Sequence, residues 1–308
     1  MSVTVRAAAK INLRLAVGPP REDGFHPLLT IYQAISLYDD LTVTEAESAA
    51  DGLSVATSVA SYVDASQLPE PGHNIVDRAA AALAAHHGRP VGAEVCVDKS
   101  IPIAGGLAGG SADGAAALLA LDRLHNLRTS DDDLLSLAAG LGSDVPFALV
   151  GGSALGEGHG EVVSRVTDEG TWWWVVVPDA KGMSTPAVYR HYDELRPDAP
   201  AIPGPPDEVV AALAAGDVRR LADALHNDLE RAALDLRSDL AGLLVEGVDA
   251  GALRGLVSGS GPTCVFLCES ADHARTVAGT LEAADRERVV LVAHGAVAGA
   301  HLVSGDEE

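Results

Sequence analysis

The chain has 308 residues, 47% of them hydrophobic and 21% charged, and a formal net charge of −23. That length allows two domains with cores of their own, and the composition is that of a globular rather than a disordered chain. The acidity argues against nucleic-acid and anionic-membrane partners, and no apolar run approaches the ~18 residues a membrane span needs.

Met1-Ser-Val-Thr-Val-Arg6 has no basic stretch leading into an apolar one, so no secretory signal is expected and the cytoplasm is the expected compartment. Ser2 to Val17 alternates as a strand, which puts Lys10, Asn12 and Arg14 on one face. Asp23-Gly-Phe-His26 reads as a turn, followed by strands over Leu28 to Leu37, Asp40 to Glu45, Leu53 to Thr57 and Val91 to Asp98. An Ala-rich helix over Ile75 to His87 is predicted behind the cap Asn74.

The segment Pro102-Ile-Ala-Gly-Gly-Leu-Ala-Gly-Gly-Ser-Ala-Asp113 carries the most information. Gly105, Gly106, Gly109 and Gly110 let the backbone take positive φ and approach a ligand, and Ser111 is predicted to open a helix whose first amides face the loop. That pattern suits an anion site or a tight strand-to-helix turn. It is neither a Walker A loop nor a dinucleotide fingerprint, since it lacks Gly-Lys-Ser/Thr and the G-x-G-x-x-G spacing.

Helices over Ser111 to Leu127 and Asp131 to Leu141 lead to the turn Gly142-Ser-Asp144, where Asp or Ser is expected to cap a short helix with Pro146 in its first turn. Composition shifts near Asp168, and Trp172 to Val177 is a strongly apolar strand. Arg196 to Pro206, with its prolines, is extended. Helices over Asp207 to Ala215, Val218 to His226, Asp228 to Asp235 and Asp239 to Gly247 follow. The strand Thr263 to Cys268, the helix Ala271 to Ala284, the strand Val289 to Ala293 and a frayed Gly305 to Glu308 complete the chain. Cys96, Cys264 and Cys268 form no CxxC pair and read as buried, reduced thiols. Lys10, Lys99 and Lys181 are the only lysines.

Pro-x-x-x-Gly-Leu-x-x-x-Ser-Ala resembles the phosphate loop of the GHMP small-molecule kinases, a family that includes galactokinase, homoserine kinase, mevalonate kinase and phosphomevalonate kinase. Ala9-Lys10-Ile-Asn12-Leu and Ser258-Gly-Ser-Gly-Pro-Thr263 resemble the family's two other signatures. Lys10-Ile-Asn-Leu, Asp23-Gly-Phe-His26 and Gly142-Ser-Asp144-Val-Pro-Phe147 resemble the branch that phosphorylates 4-diphosphocytidyl-2-C-methyl-D-erythritol on its 2-hydroxyl, a step of non-mevalonate isoprenoid synthesis. The resemblance implies a two-domain α+β fold. Residues 1–168 would be a ribosomal-protein-S5-like ATP-binding domain and residues 169–308 a ferredoxin-like substrate domain.

It implies ATP and Mg²⁺ as cofactors and a cytidyl sugar alcohol as the small-molecule partner, with the chain a monomer or weak homodimer. Lys10 and Asp144 would be catalytic, Asp144 as base and Lys10 as its partner and a stabiliser of charge on the transferred group. Pro102, Ile103, Ala104, Gly105, Gly106, Leu107, Ala108, Gly109, Gly110, Ser111 and Ala112 would cradle ATP, with Asn74, Lys99 and Ser100 near its adenosine. Ser111 would cap the helix and touch phosphate or Mg²⁺. Asn12, Phe25, His26, Tyr189, Gly259 and Ser260 would bind substrate, the aromatic rings by stacking on cytosine and His26 by reading its edge. Phe25 stands where that branch often has Tyr. Alternatives are another GHMP kinase, such as homoserine or mevalonate kinase, and a non-catalytic ligand sensor on the same fold.

Overall fold

The computed structural model describes residues 1–303 apart from 23, 47–51, 71, 73, 104 and 180. The expected fraying of Gly305 to Glu308 lies outside the described residues. The described chain begins with β1 (Ser2–Val17), β2 (Leu28–Glu45), β3 (Leu53–Val59), α1 (Ile75–His87), β4 (Ala93–Lys99) and α2 (Gly109–Leu124). Next come α3 (Asp131–Leu141), α4 (Val145–Val150), β5 (Ser153–Glu157), β6 (Val162–Arg165), β7 (Trp172–Val177) and α5 (Thr185–Leu195). The remainder is α6 (Asp207–Ala215), α7 (Val218–Ala224), β8 (His226–Asn227), α8 (Glu230–Leu236), α9 (Asp239–Asp249), β9 (Arg254–Val257), β10 (Cys264–Cys268), α10 (Ala271–Ala284), β11 (Leu291–Gly295) and β12 (His301–Leu302).

These strands join in one mixed sheet, ordered β12-β1-β2-β11-β7-β10-β9, with β4–β3 and β5–β6 branching from β2 and β8 beside β1. Period-two alternation sends Val3, Val5, Ala7, Ala9, Ile11 and Leu13 of β1 into a core filled by the Ala- and Leu-rich α2. Further along the same strand, Leu15 and Val17 enter a second core with Phe266, Val188 and Tyr192. One long strand therefore serves both cores and carries Lys10 and Asn12 between them. Local signals hold where they are strong: Asn74 caps α1 by accepting from the Asp77 amide at 2.9 Å, and Gly88 ends it at φ 62°.

Several elements differ from expectation. The two strands expected over Leu28 to Leu37 and Asp40 to Glu45 are one, because the polar Asp39-Asp40 pair is satisfied within the sheet: Arg6 holds Asp40 by two bonds of 2.8 Å, and Asp39 is buried. A register shift between Ala8 and Ala9 absorbs the irregularity. The helix expected from Ser111 starts at Gly109, behind Ala108 in the left-handed region at φ 57°, so Ser111 is not its cap. Cys264 and Cys268 are buried, and burial pushes both thiols up to about 12; Cys96, expected buried, is exposed on the outward face of the alternating β4. The short helix expected behind Asp144 is α4, whereas the short β5, β6 and β9 were not anticipated, since four or five residues give periodicity too little length to register.

Two buried polar clusters set the loops of the cleft. Lys99, at the end of β4, donates to Asp39 Oδ2 and Asp113 Oδ2, both at 2.6 Å, while the Ser100 and Ile101 amides donate to Asp39 Oδ1 at 2.6 and 2.8 Å. This triad ties β2 and β4 to the second turn of α2 and so fixes both ends of the glycine loop. Burial, against the pull of Lys99 and with the push of Asp39, raises the Asp113 carboxyl from 3.8 to about 8. On the other side Asn227 Nδ2 donates to the Val257 and Gly259 carbonyls at 2.9 and 2.7 Å, and its Oδ1 accepts from the Leu229 amide at 2.9 Å.

Asn227→Ala should leave two carbonyls and one amide without partners, costing about 3 kcal/mol in urea unfolding at ~1–3 kcal/mol for each buried group left unpaired. A loss below about 0.5 kcal/mol would show that the second glycine loop holds itself. Burial raises the Asp113 carboxyl, so its contribution to stability is greatest at low pH and declines as pH rises through the folded-state value. From about pH 5 to about pH 8 the wild type should lose stability that Asp113→Asn keeps, and parallel stability curves for the two proteins would rule the linkage out.

Candidate active site

A cleft of about 1300 Å³ opens between the glycine loop, β1, α5 and the loop after β9. Lys10 and Asn12 point into it from one face of β1, as alternation predicted, and both are buried. Lys10 Nζ donates to Asn12 Oδ1 at 2.8 Å, and Asn12 Nδ2 donates to Thr30 Oγ1 at 2.8 Å, whose hydroxyl in turn donates to the Arg14 carbonyl at 2.7 Å. That chain leaves the ammonium little freedom. Lys10 Nζ lies 3.7 Å from Asp144 Oδ2, an ion pair between segments 134 positions apart in sequence.

Asp144 stands at the N-cap position of α4, with Pro in the first turn as expected, yet its side chain makes no capping bond. The carboxylate turns instead to the cleft, where Tyr32 donates to Oδ1 at 3.0 Å. Tyr32 is buried beside Phe147, and burial together with the Asp144 charge raises its hydroxyl well above the ordinary value, so it remains a donor. Oδ1 is thus fixed by Tyr32, and Oδ2 faces Lys10.

The glycine loop is locked by the protein before any ligand arrives. At Gly106, φ +78°, an added Cβ would lie 2.3 Å from the Ser258 carbonyl oxygen, and Ser258 Oγ donates to the Gly106 carbonyl at 3.2 Å. A Cβ at Gly105 would lie 2.6 Å from Thr263 Oγ1, and one at Gly109 would press on Ile101 at 3.0 Å. Gly110 differs: its Cβ direction is open, and it lines the cleft. Across from it Gly259, φ +58°, brings backbone so near that a Cβ would be 3.3 Å from Asn12 Oδ1 and 3.5 Å from Lys10 Nζ.

Pro102, Ile103, Ala108, Ser111 and Asn74 also line the cleft, whereas Leu107 and Ala112 are core residues; Ala104 and Asp23 lie outside the described residues. Leu107 contributes its carbonyl, which accepts from the Lys10 amide at 3.0 Å. Lys99 reaches the cleft with its ammonium already engaged by two carboxyl groups, and Ser100 sits behind it with its amide on Asp39. Ser260, at the cleft mouth, shares a hydrogen bond of 2.8 Å with Thr185. His26 and Tyr189 pack ring to ring at 4.8 Å, tilted by 40°, while the exposed Phe25 stacks on His159 at 4.6 Å and 8°. Tyr32, Asp39, Asn227, Asp193 and His159 were not found from sequence. Tyr32 is opposite Asn12 in the β1–β2 register, a pairing invisible before the register is known.

The family described as GHMP kinases N terminal domain matches residues 74–152, and GHMP kinases C terminal matches residues 209–286. A Nocardioides protein named 4-diphosphocytidyl-2-C-methyl-D-erythritol kinase is 63% identical over 97% of this chain and 99% of its own. One of the same name from Streptomyces coelicolor is 50% identical over 98% of this chain and 100% of its own. A crystal structure of 4-(cytidine 5'-diphospho)-2C-methyl-D-erythritol kinase superposes with a TM-score of 0.76 at 30% identity, covering 99% of this chain and 100% of that one. Likeness of this extent, carried over both halves and through the cleft, means that the chain belongs to the GHMP kinases, within the 4-diphosphocytidyl-2-C-methyl-D-erythritol kinase family.

Proposed function

We propose that this chain transfers the γ-phosphoryl group of ATP to the 2-hydroxyl of 4-diphosphocytidyl-2-C-methyl-D-erythritol, the compound for which its relatives are named kinases. The observation that carries the chemistry is the Lys10–Asp144 pair at 3.7 Å at the centre of the cleft, with each group held by a neutral partner. Asp144 Oδ2 orients the hydroxyl and accepts its proton as the oxygen–phosphorus bond forms. Lys10 faces the same point and stabilises charge on the transferring group while the bond to the leaving ADP breaks. Tyr32 keeps Oδ1 occupied, so the other oxygen does the work.

The triphosphate lies along the glycine loop, where the first amides of α2 are free of side-chain caps and Gly110 leaves room for close approach. No group of three or more His, Cys, Asp or Glu suited to a metal occurs among the described residues, which fits Mg²⁺ held chiefly by ATP, with the Ser111 hydroxyl as its protein contact. When bound, Mg²⁺ neutralises charge on the phosphates. Residues 1–168 supply the loop and the Lys10–Asp144 pair, and residues 169–308 supply Tyr189 and the Gly259–Ser260 wall, a division in keeping with the two-part match. No described helix is long and apolar enough to cross a membrane.

Asp144→Asn and Lys10→Ala should each lower kcat by about two orders of magnitude or more with a far-ultraviolet spectrum like the wild type's. Turnover within about threefold of wild type for Asp144→Asn would remove it from the chemistry. Gly110→Leu should raise the KM for ATP by about tenfold or more and leave the cytidyl KM within about threefold, because its Cβ direction is open and Gly110 lines the glycine-loop side of the cleft. Gly109→Val, by contrast, should lower thermal stability, since its contact is Ile101. Calorimetric titration with a non-hydrolysable ATP analogue separates the two, and unchanged affinity in Gly110→Leu would place the phosphates elsewhere.

A further inference from the structure

Asp193 lies one helical turn beyond Tyr189 on α5, so both side chains leave the helix on the same face and reach the cleft. Its Oδ1 is 2.9 Å from His26 Nε2, joining residues 167 positions apart. His26 is 9% exposed and has Tyr189 against its ring. No protein partner for His26 Nδ1 occurs among the described residues. A carboxylate has no proton to donate, so the hydrogen of this bond resides on Nε2. In the neutral ring the other nitrogen is then an acceptor only.

We propose that Asp193 is a positioning residue that fixes the Nε2–H tautomer of His26 and thereby makes the cleft selective for a base whose edge presents an amino group. This rests on the cytidyl substrate reading. The exocyclic amine of cytosine can donate to the Nδ1 lone pair, whereas the carbonyl that replaces it in uracil meets that lone pair with another. Stacking by Tyr189 or Phe25 cannot make this distinction, because both bases offer similar faces. Tyr189 and Asp193 together also restrict rotation of the imidazole, which keeps Nδ1 aimed in one direction.

The test measures kcat/KM of the full-length enzyme for the cytidyl substrate and its uridyl counterpart in wild type, Asp193→Ala, Asp193→Asn and Asp193→Glu. Nitrogen-15 imidazole spectra of the free proteins accompany it, with His26 assigned from His26→Ala. Wild type should prefer the cytidyl substrate by about a hundredfold or more, and Asp193→Ala should shrink that ratio by about tenfold or more while its His26 resonances move from the Nε2–H pattern toward a mixture. Asp193→Asn, whose amide can turn either atom toward the ring, should fall between, and Asp193→Glu should recover part of the preference. A merely structural role would lower both substrates together and leave the ratio intact. An intact ratio in Asp193→Ala, or an unchanged tautomer there, would overturn the proposal while the cytidyl reading stands. Absence of any cytidyl preference in wild type would overturn both, with the spectra still reporting whether Asp193 sets the tautomer.

Discussion

Everything in this cleft depends on the contact between two glycine loops. At Gly106 the backbone passes so close to the Ser258 carbonyl that any other residue would collide with it, and the two segments exchange further bonds through Ser258 Oγ and the Thr263 amide, which donates to the Gly105 carbonyl at 3.3 Å. The Lys10 amide donates to the next carbonyl of the same loop, that of Leu107. One crossing thus sets three things in mutual register: the first turn of α2, the cleft-facing side of β1 and the wall formed by Gly259. Positive φ at Gly106 and Gly259 is what permits the approach.

The charge balance follows from where carboxylates are spent. A chain of net charge −23 must receive two polyanions, yet it has only three lysines, and Lys99 is already held by two carboxyl groups. The triad therefore lends the cleft no free positive charge; its role is to fasten the loop's entry to the start of α2. Lys10 is paired more loosely, with a neutral amide and one carboxylate at 3.7 Å, and its ammonium faces the cleft. The helix amides at the start of α2 add attraction of their own for anions.

Much of this was legible in the sequence, and for identifiable reasons. Lys10 and Asn12 share a face because strands alternate, and the glycine loop announces itself by composition. Helices with strong caps, such as α1, matched their predicted limits. What escaped were facts of register and of pairing between distant segments. Tyr32 matters because β2 sets it opposite Asn12, Asp39 because β4 ends beside it, and Asp193 because α5 brings it to His26. Asp39-Asp40 misled because adjacent acids in an apolar run look like a turn until Lys99 and Arg6 are seen to receive them. Ser111 misled in the opposite sense, since it has the chemistry of a cap but lies two residues inside the helix.

The side chain at position 144 has a consequence for how this protein responds to selection. Asp is among the favoured residues for ending the exposed amides of a helix, a service worth about 0.5–2 kcal/mol, but here it turns away and α4 goes uncapped. On the proposed role of Asp144, a residue that did cap would give a firmer protein and a silent one. Populations or libraries screened only for heat resistance would drift toward such replacements at this locus, and those screened for isoprenoid output would hold the uncapped turn in place.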